Sequence, residues 1–448
     1  MERVRSVVQR LSSARGGTRF RIYPQAPFAA TWGKPMEIEL SPPAGSLGEG
    51  PHDGRMCVIQ PEGKNWSYGE LILRDAPARA PLPPWRGPCA APARPGPDGG
   101  FAHLEPEDPA FDQAHAYACV RLALDVWEGY LGRVVPWHFG RHLLEIGLLG
   151  QTYRNGEVGW GWLELGWDLS PDRPPHAFAR NLDVIAHEVG HLIVYGTVGE
   201  PAPDRMGAEY AGFQESFADL AALLVAAHLD PVVDQVMQRS RGNLYGANEL
   251  NRLGELSSTT QIRIASNATK MSEFTLGWVD EHDLSEPLTG AVFDLLLDIY
   301  QAHLVERGLI PRALAELADE RAHLRAFALT IQAEYDRWYP RAPEEFRNAF
   351  CDARDLLGGW LAHMLFRLRP DQLTYVAVRD LLLEADGLQQ AGFAARIRAC
   401  FSWRGIGAVR LGPFLGSKRL ARVGMGIGLH RCANRQIGGA QRISYESA

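Results

Sequence analysis

Cysteine is scarce in this chain: six in 448 residues, at positions 57, 89, 119, 351, 400 and 432. None lies in a Cys-x-x-Cys pair, which argues against a disulfide framework and against a thiolate zinc site. Free thiols in a reducing compartment are the expectation. Long apolar runs are also missing. The longest, such as Ala221–Ala227, fall far short of the roughly 20 residues of a membrane span. The opening stretch, MERVRSVVQRLSSARGG, has no apolar h-region, so no signal peptide is read and a cytoplasmic location is expected. There is no excess of positive charge. The net charge is −7, and nucleic acid is not expected as a partner. The one exception is local: residues 409–448 carry seven Lys or Arg against a single acid, Glu446.

What is present is an ordinary globular composition, 46% hydrophobic and 22% charged, in a chain long enough for several domains and a large core. Residues 1–75 read as a small β-rich unit, with alternating runs at Arg19–Tyr23, Met36–Leu40, Met56–Gln60 and Trp66–Arg74. Residues 76–109 hold ten of the thirty prolines and read as an extended linker or a long irregular loop. Ala114–Gly132 has apolar residues at helical spacing. Residues 150–167 read as strands joined by a turn at Asn155-Gly156, with Trp160 and Trp162 on one face. Beyond Asn181 the pattern is helical, over 181–196, 212–229, 287–306, 311–340, 343–368 and 371–402. Residues 408–448 form a basic, Gly-rich tail without apolar period and are expected to be disordered.

The chemistry lies in Asn181–Tyr195, NLDVIAHEVGHLIVY. His187 and His191 are i and i+4, so on a helix both imidazoles share a face and can reach one ion. Glu188 sits beside them and can act on metal-bound water without being a ligand. A catalytic zinc keeps three protein ligands and one open position, so a third donor is needed. Gly212–Leu220 reads GFQESFADL. Its Glu215 and Asp219 stand one turn apart among apolar neighbours. One carboxylate can complete the donor set, and the other can accept a ligand histidine's free N–H.

HEVGH followed by G-x-x-E-x-x-x-D resembles the thermolysin-type and fungalysin-type gluzincin metallopeptidases. The resemblance covers roughly residues 110–407 and implies an α+β, two-lobed catalytic region. Its N-terminal lobe is β-containing (about 110–197), and its C-terminal lobe is mostly helical (198–407). The resemblance places the active site between the two lobes. Carried over by position, it implies His187, His191 and Glu215 as zinc ligands and Glu188 as general base. It implies Asp219 as the partner of His187, and it matches Asp183 to the acid that precedes the motif. Tyr153–Gly166 is similar to the edge strand on which peptide substrates lie. Arg252–Ala268 resembles the stretch that places an arginine, here Arg263, beside the substrate. His282-Asp283-Leu284-Ser285 resembles the segment supplying the transition-state histidine, His282. The aspartate that orients that histidine has no match at the usual position, and Asp280 or Asp283 are the substitutes. Tyr210 is the candidate for the family's oxyanion tyrosine. The family's double calcium site needs several acids. Glu255 matches one, but Arg252 stands where another is required, which argues against calcium there.

These observations predict a zinc-dependent endopeptidase with peptide or protein substrates. Two rivals share the same residues: a zinc hydrolase with a narrow non-protein or specialised peptide substrate, and a zinc-retaining binding scaffold. The intact Glu188 speaks against the scaffold. His138 and His142 also stand at i, i+4 but have no acid between them, so a structural role is expected. Gly424–Gly428 is not a dinucleotide-binding fingerprint, because no strand precedes it.

Overall fold

The computed structural model describes residues 16–27, 33–74, 82–140, 143–170, 174–202, 205–257, 260–321, 325–415 and 430–431. The chain divides into two compact units. The first comprises Met1–Pro203, Leu253–Arg263 and Ser417–Ala448; the second comprises Asp204–Arg252 and Ile264–Gly416.

Among the described residues the first unit contains two buried helices and a five-stranded sheet. Strands β1 (Gly17–Ile22) and β2 (Met36–Pro43) form an antiparallel pair. Strand β3 (Met56–Ile59) and helix α1 (Tyr68–Arg74) follow, then the long helix α2 (Phe111–Leu131). Most of α2 is buried, and it packs against β1, β2 and β3. Phe20 stacks between Phe101 and Tyr117, with ring centroids 5.2 and 5.6 Å away. Strands β4 (Leu144–Leu148), β5 (Gly156–Gly159) and β6 (Trp162–Leu165) come next. They are followed by the short pair β7 (Trp167–Asp168) and β8 (His176–Ala177), and by helix α3 (Leu182–Thr197). Strands β9 (Arg252–Ser257) and β10 (Thr260–Ile264) pair with each other. The large sheet has the order β11-β5-β6-β4-β3, where β11 is His430–Arg431. β4 is parallel to both β3 and β6, and every residue of β4 is buried, as expected of a strand covered on both faces.

The second unit is helical: α4 (Ala208–Ala226), α5 (Asp230–Ser240), α6 (Glu281–Glu306), α7 (Arg312–Arg321), α8 (Arg325–Trp338), α9 (Pro343–Arg367), α10 (Tyr375–Gln389) and α11 (Ala394–Trp403). Helix α6 is its axis, packed by α4, α9 and α11. By length and composition alone α6 could cross a membrane, yet most of its apolar stretch is buried inside this unit. Gly212 makes the α4–α6 approach possible. A Cβ there would meet the Tyr375 hydroxyl at 2.1 Å and Leu284 at 3.2 Å, and that hydroxyl donates to the Leu284 carbonyl at 2.8 Å. A β-containing unit followed by a mostly helical one is the α+β architecture that the thermolysin-type resemblance implies.

Several local expectations change. The run at Trp66–Arg74 is not a strand: Tyr68–Arg74 is helical, with the Tyr68 N–H donating to Glu164 and the Gly69 N–H to Glu157. Met56–Ile59 joins the large sheet in parallel rather than extending an antiparallel β1–β2 unit. The turn between β5 and β6 lies at Trp160-Gly161, where Gly161 takes φ +89°, and Gly156 instead begins β5. Trp160 is therefore exposed at the turn while Trp162 is fully buried, so the two do not share a face. Residues 82–109 are an irregular loop fastened down by hydrogen bonds such as Ala90 N–H to the Gln60 carbonyl and Trp85 N–H to Glu145. Stretch 371–402 is two helices. Gln390 in the left-handed region (φ 54°) and Gly392 (φ +85°) end the first of them. Within stretch 311–340 the described residues include the helices Arg312–Arg321 and Arg325–Trp338. The tail expected to be disordered, with its Gly424–Gly428 run, lies mostly outside the described residues; of its described parts, residues 408–415 are held by backbone hydrogen bonds to Phe274 and Trp278 and His430–Arg431 is a strand.

Two predictions follow from this packing. Gly212→Ala should force α4 and α6 apart and destabilise the protein by about 1–3 kcal/mol, read by urea unfolding. The second concerns acid. His115 is fully buried; its Nε2 accepts from Tyr23 N–H and its Nδ1–H donates to the Ala179 carbonyl. Burial pushes this imidazole down to about 3. The unfolded chain takes up that proton below about pH 6.5 while the native state stays neutral. Stability from this group is complete above that value and is lost as pH falls towards 3. The loss approaches 1.4 kcal/mol per pH unit, to be measured as roughly that slope in unfolding free energy. His115→Gln should flatten it.

Candidate metal centre

Helix α3 has no polar face. Leu182–Tyr195 are all buried, and Asn181 caps the helix by accepting the Val184 N–H at 3.2 Å. Gly196 allows its close seating, since a Cβ there would strike the Pro136 carbonyl at 2.1 Å. Four acidic or imidazole side chains sit inside this apolar helix: Asp183, His187, Glu188 and His191. Burying such groups costs several kcal/mol unless each has a partner, so their presence here calls for a specific arrangement.

That arrangement is visible. Nε2 of His191 lies 3.1 Å from Nε2 of His187. Two nitrogens held tetrahedrally at zinc bond lengths stand about 3.4 Å apart, so the rings aim at one point. One donor atom from each of His187, His191 and Glu215 lies within 4.8 Å of the others, and all three residues are buried. Two imidazoles and a carboxylate are a donor set suited to zinc. The residues present therefore fit the metal, and they match the gluzincin HExxH arrangement with its distal glutamate. With Glu188 in the same helical turn, this arrangement supports a zinc-activated-water peptidase. Glu188 borders β5: a Cβ on Gly156 would come 3.3 Å from Glu188 Oε1 and 3.2 Å from Val184 Cγ1.

Arg263, at the end of β10, places Nη2 3.1 Å from Nδ1 and 3.4 Å from Nε2 of His187. A guanidinium only donates, and a neutral imidazole has a single lone-pair nitrogen. A hydrogen bond from Arg263 to Nδ1 needs the lone pair on that nitrogen, whereas a metal at Nε2 needs the other tautomer, so the two contest the protonation pattern of His187.

Glu215 lies on α4, and its Oε2 is 3.2 Å from Nε2 of His282. Nδ1 of His282 is 2.7 Å from Asp280 Oδ1, which also accepts the His282 backbone N–H at 2.9 Å. Asp280 is the N-cap of α6. The helix consequently starts at Glu281, six residues earlier than the sequence pattern suggests, and His282 belongs to its first turn. Carboxylates only accept, so in its contact with Asp280 the ring nitrogen Nδ1 of His282 carries the proton. Burial would raise the Asp280 carboxyl, but the hydrogen bonds and charge of His282 outweigh it and hold it below its ordinary value. Of the two substitutes open from sequence, Asp280 and Asp283, the structure puts Asp280 on the ring.

The remaining candidates are placed as follows. Asp219 is buried one turn beyond Glu215, and Asp183 is buried in the first turn of α3. Tyr210 is buried on α4, where its hydroxyl accepts from Gln214 Nε2 at 2.8 Å. The Glu255 side chain lies outside the described residues, as does His142. His138 packs 4.6 Å from the Tyr195 ring and 5.5 Å from Trp160, and burial pushes its imidazole down to about 4. That fits the structural role expected of it. Two features escaped the sequence reading: the close approaches at Gly156, against Glu188, and at Gly212, against Tyr375 and Leu284, and the strand at 430–431. A glycine inside G-x-x-E was a readable signal for the first; nothing in the composition marks the second.

No family model matches the chain, and no curated protein matches it.

Purified protein should bind one zinc per chain. His191→Ala and Glu215→Gln should each weaken binding by more than the roughly 10–100-fold typical of losing an outer-sphere partner, read by chelator competition. Arg263→Met should act in the opposite direction, tightening zinc by up to about tenfold, because it removes that contest over His187.

Proposed function

We propose that this protein is a zinc-dependent endopeptidase acting on extended peptide or protein segments. The observation that carries the reading is the convergence of donor atoms from His187, His191 and Glu215 beside Glu188. Zinc bound to these three residues would supply an activated water near neutral pH and polarise the scissile carbonyl.

Everything else falls to the chain's own side chains. Glu188 takes the water's proton and passes it to the leaving nitrogen. Its burial beside apolar Val184 keeps the carboxylate from being solvated by bulk water. His282, held through Nδ1 by Asp280, presents Nε2–H to the oxygen on which negative charge develops. Asp219 is assigned to orient His187, and Asp183 to support the same helix. Arg263 is assigned to a substrate carbonyl once the His187 lone pair is engaged. Tyr210 is a further candidate donor. Substrate is proposed to lie along β5, whose first residue borders Glu188. Zinc is the metal proposed, without the family's double calcium site. A reducing, cytoplasmic setting is proposed on the five described cysteines, all of which are free.

The test is cleavage of a diverse peptide library by zinc-loaded protein, with and without chelator. Glu188→Gln should retain zinc and lose about 10³-fold or more in kcat. Asp280→Asn should also retain zinc and lose about 10–100-fold in kcat with KM little changed. If zinc-loaded wild type leaves the whole library intact, the peptidase reading is wrong.

A further inference from the structure

The outer edge of β5 is occupied. In the sheet order β11-β5-β6-β4-β3, β5 pairs on one side with β6 and on the other with β11. The β11 pairing is antiparallel, with His430 opposite Val158 and Arg431 opposite Glu157. Without it, β5 would present a row of open N–H and C=O groups, the kind of edge that takes up an extended chain by strand addition. This edge is not remote from the chemistry, since β5 begins at Gly156, against the Glu188 carboxylate. The occupant comes from the basic C-terminal segment, which has no part in the donor set.

A second, independent anchor lies where that segment leaves the helical unit. The Gly412 N–H donates to the Phe274 carbonyl at 2.8 Å, the Trp278 N–H to Pro413 at 3.1 Å, and the Leu415 N–H to Trp278 at 2.8 Å. The Phe414 ring sits 4.7 Å from Trp278, in an apolar cluster with Phe274 and Leu284. The stretch gripped in this way, residues 274–278, runs directly into Asp280 and His282. The C-terminal segment is thus fastened by backbone hydrogen bonds beside the residues that hold His282, and again along the strand beside Glu188.

We propose that the outer edge of β5 is a strand-docking surface whose resident occupant is this chain's own C-terminal segment around His430–Arg431. On this proposal the segment is a built-in competitor that an extended peptide must displace. The inference rests on the peptidase reading for its consequence, but not for the docking itself. Strand addition uses main-chain groups, so the competitor need not resemble a substrate in sequence. Because it is part of the same chain, its effective concentration is high and it competes even if its intrinsic affinity is weak.

The test keeps the chain whole. Alternate residues of an antiparallel strand exchange backbone bonds with the partner, so His430→Pro together with Arg431→Pro removes the donor whichever residue supplies it. Two measurements are made on zinc-loaded full-length chains. In the Glu188→Gln background, hydrogen exchange of the β5 amides should accelerate about tenfold or more on adding the two prolines. A synthetic peptide spanning residues 424–437, added in trans, should restore the protection. In the active background, the proline variant should show a KM lowered several-fold at unchanged kcat, with the same peptide inhibiting competitively. Unchanged β5 exchange on proline substitution, or no protection by the peptide, would overturn the docking. Altered exchange with an unchanged KM would overturn the competitor role. If neither chain cleaves any peptide, the peptidase reading fails, and the exchange result still decides the docking.

Discussion

The constraint on which the rest depends is the placement of two imidazoles and two carboxylates inside a helix that has no solvent-facing side. Leu182–Tyr195 is buried throughout, so none of these groups can be satisfied by bulk water. A buried polar group without a partner is expensive, and a buried charge more so. The chain's answer is convergence. The two Nε2 atoms lie 3.1 Å apart, with the Glu215 donor in the same small volume. A divalent cation offsets the burial of a carboxylate and uses both imidazole lone pairs at once. The same apolar surroundings that make the groups costly strengthen the electrostatics on which catalysis would draw.

Precision of this kind needs backbones that come close, and glycine provides it at two points. Gly156 lets β5 run alongside Glu188, and Gly212 lets α4 approach α6 until Glu215 reaches His282. Asp280 then does two jobs with one oxygen. It caps α6 through the His282 N–H and holds the His282 ring through Nδ1. Helix start and ring orientation are therefore one structural event. A change that frayed the first turn of α6 would misplace the imidazole without touching the metal ligands. On the role proposed for His282, the active geometry would depend on helix capping as well as on donor identity.

This also explains what was legible in the sequence and what was not. His187, Glu188, His191 and Glu215 could be read because helical periodicity turns spacing into a shared face. The helical character of the second unit was readable for the same reason. Breaks within long apolar-periodic stretches were not, because Gln390 adopts a left-handed conformation that its residue type does not announce. Tyr68–Arg74 alternates like a strand but is helical. Its first N–H groups find buried carboxylates on β5 and β6, a tertiary reward invisible to local pattern. The Asn155-Gly156 pair looked like a turn, yet Gly156 serves close approach, and the turn falls to Gly161. At Tyr68–Arg74 and at Gly156 a long-range contact overrode a local preference.

The basic tail is the extreme case. Its composition argues for a solvated segment, and composition is blind to main-chain pairing because every residue except proline carries the same donor and acceptor. An edge strand beside a buried carboxylate is a liability in any protein; in a peptidase it is also the natural seat for substrate. Covering it with the chain's own terminus would protect the edge and ration access at once. Such a cover must be weak enough to leave. The two described residues of pairing, His430–Arg431, supply a few hydrogen bonds of about 1 kcal/mol each, which an extended peptide can outcompete by pairing along all of β5. Selectivity for length and extension, rather than for particular side chains, is what this geometry would impose.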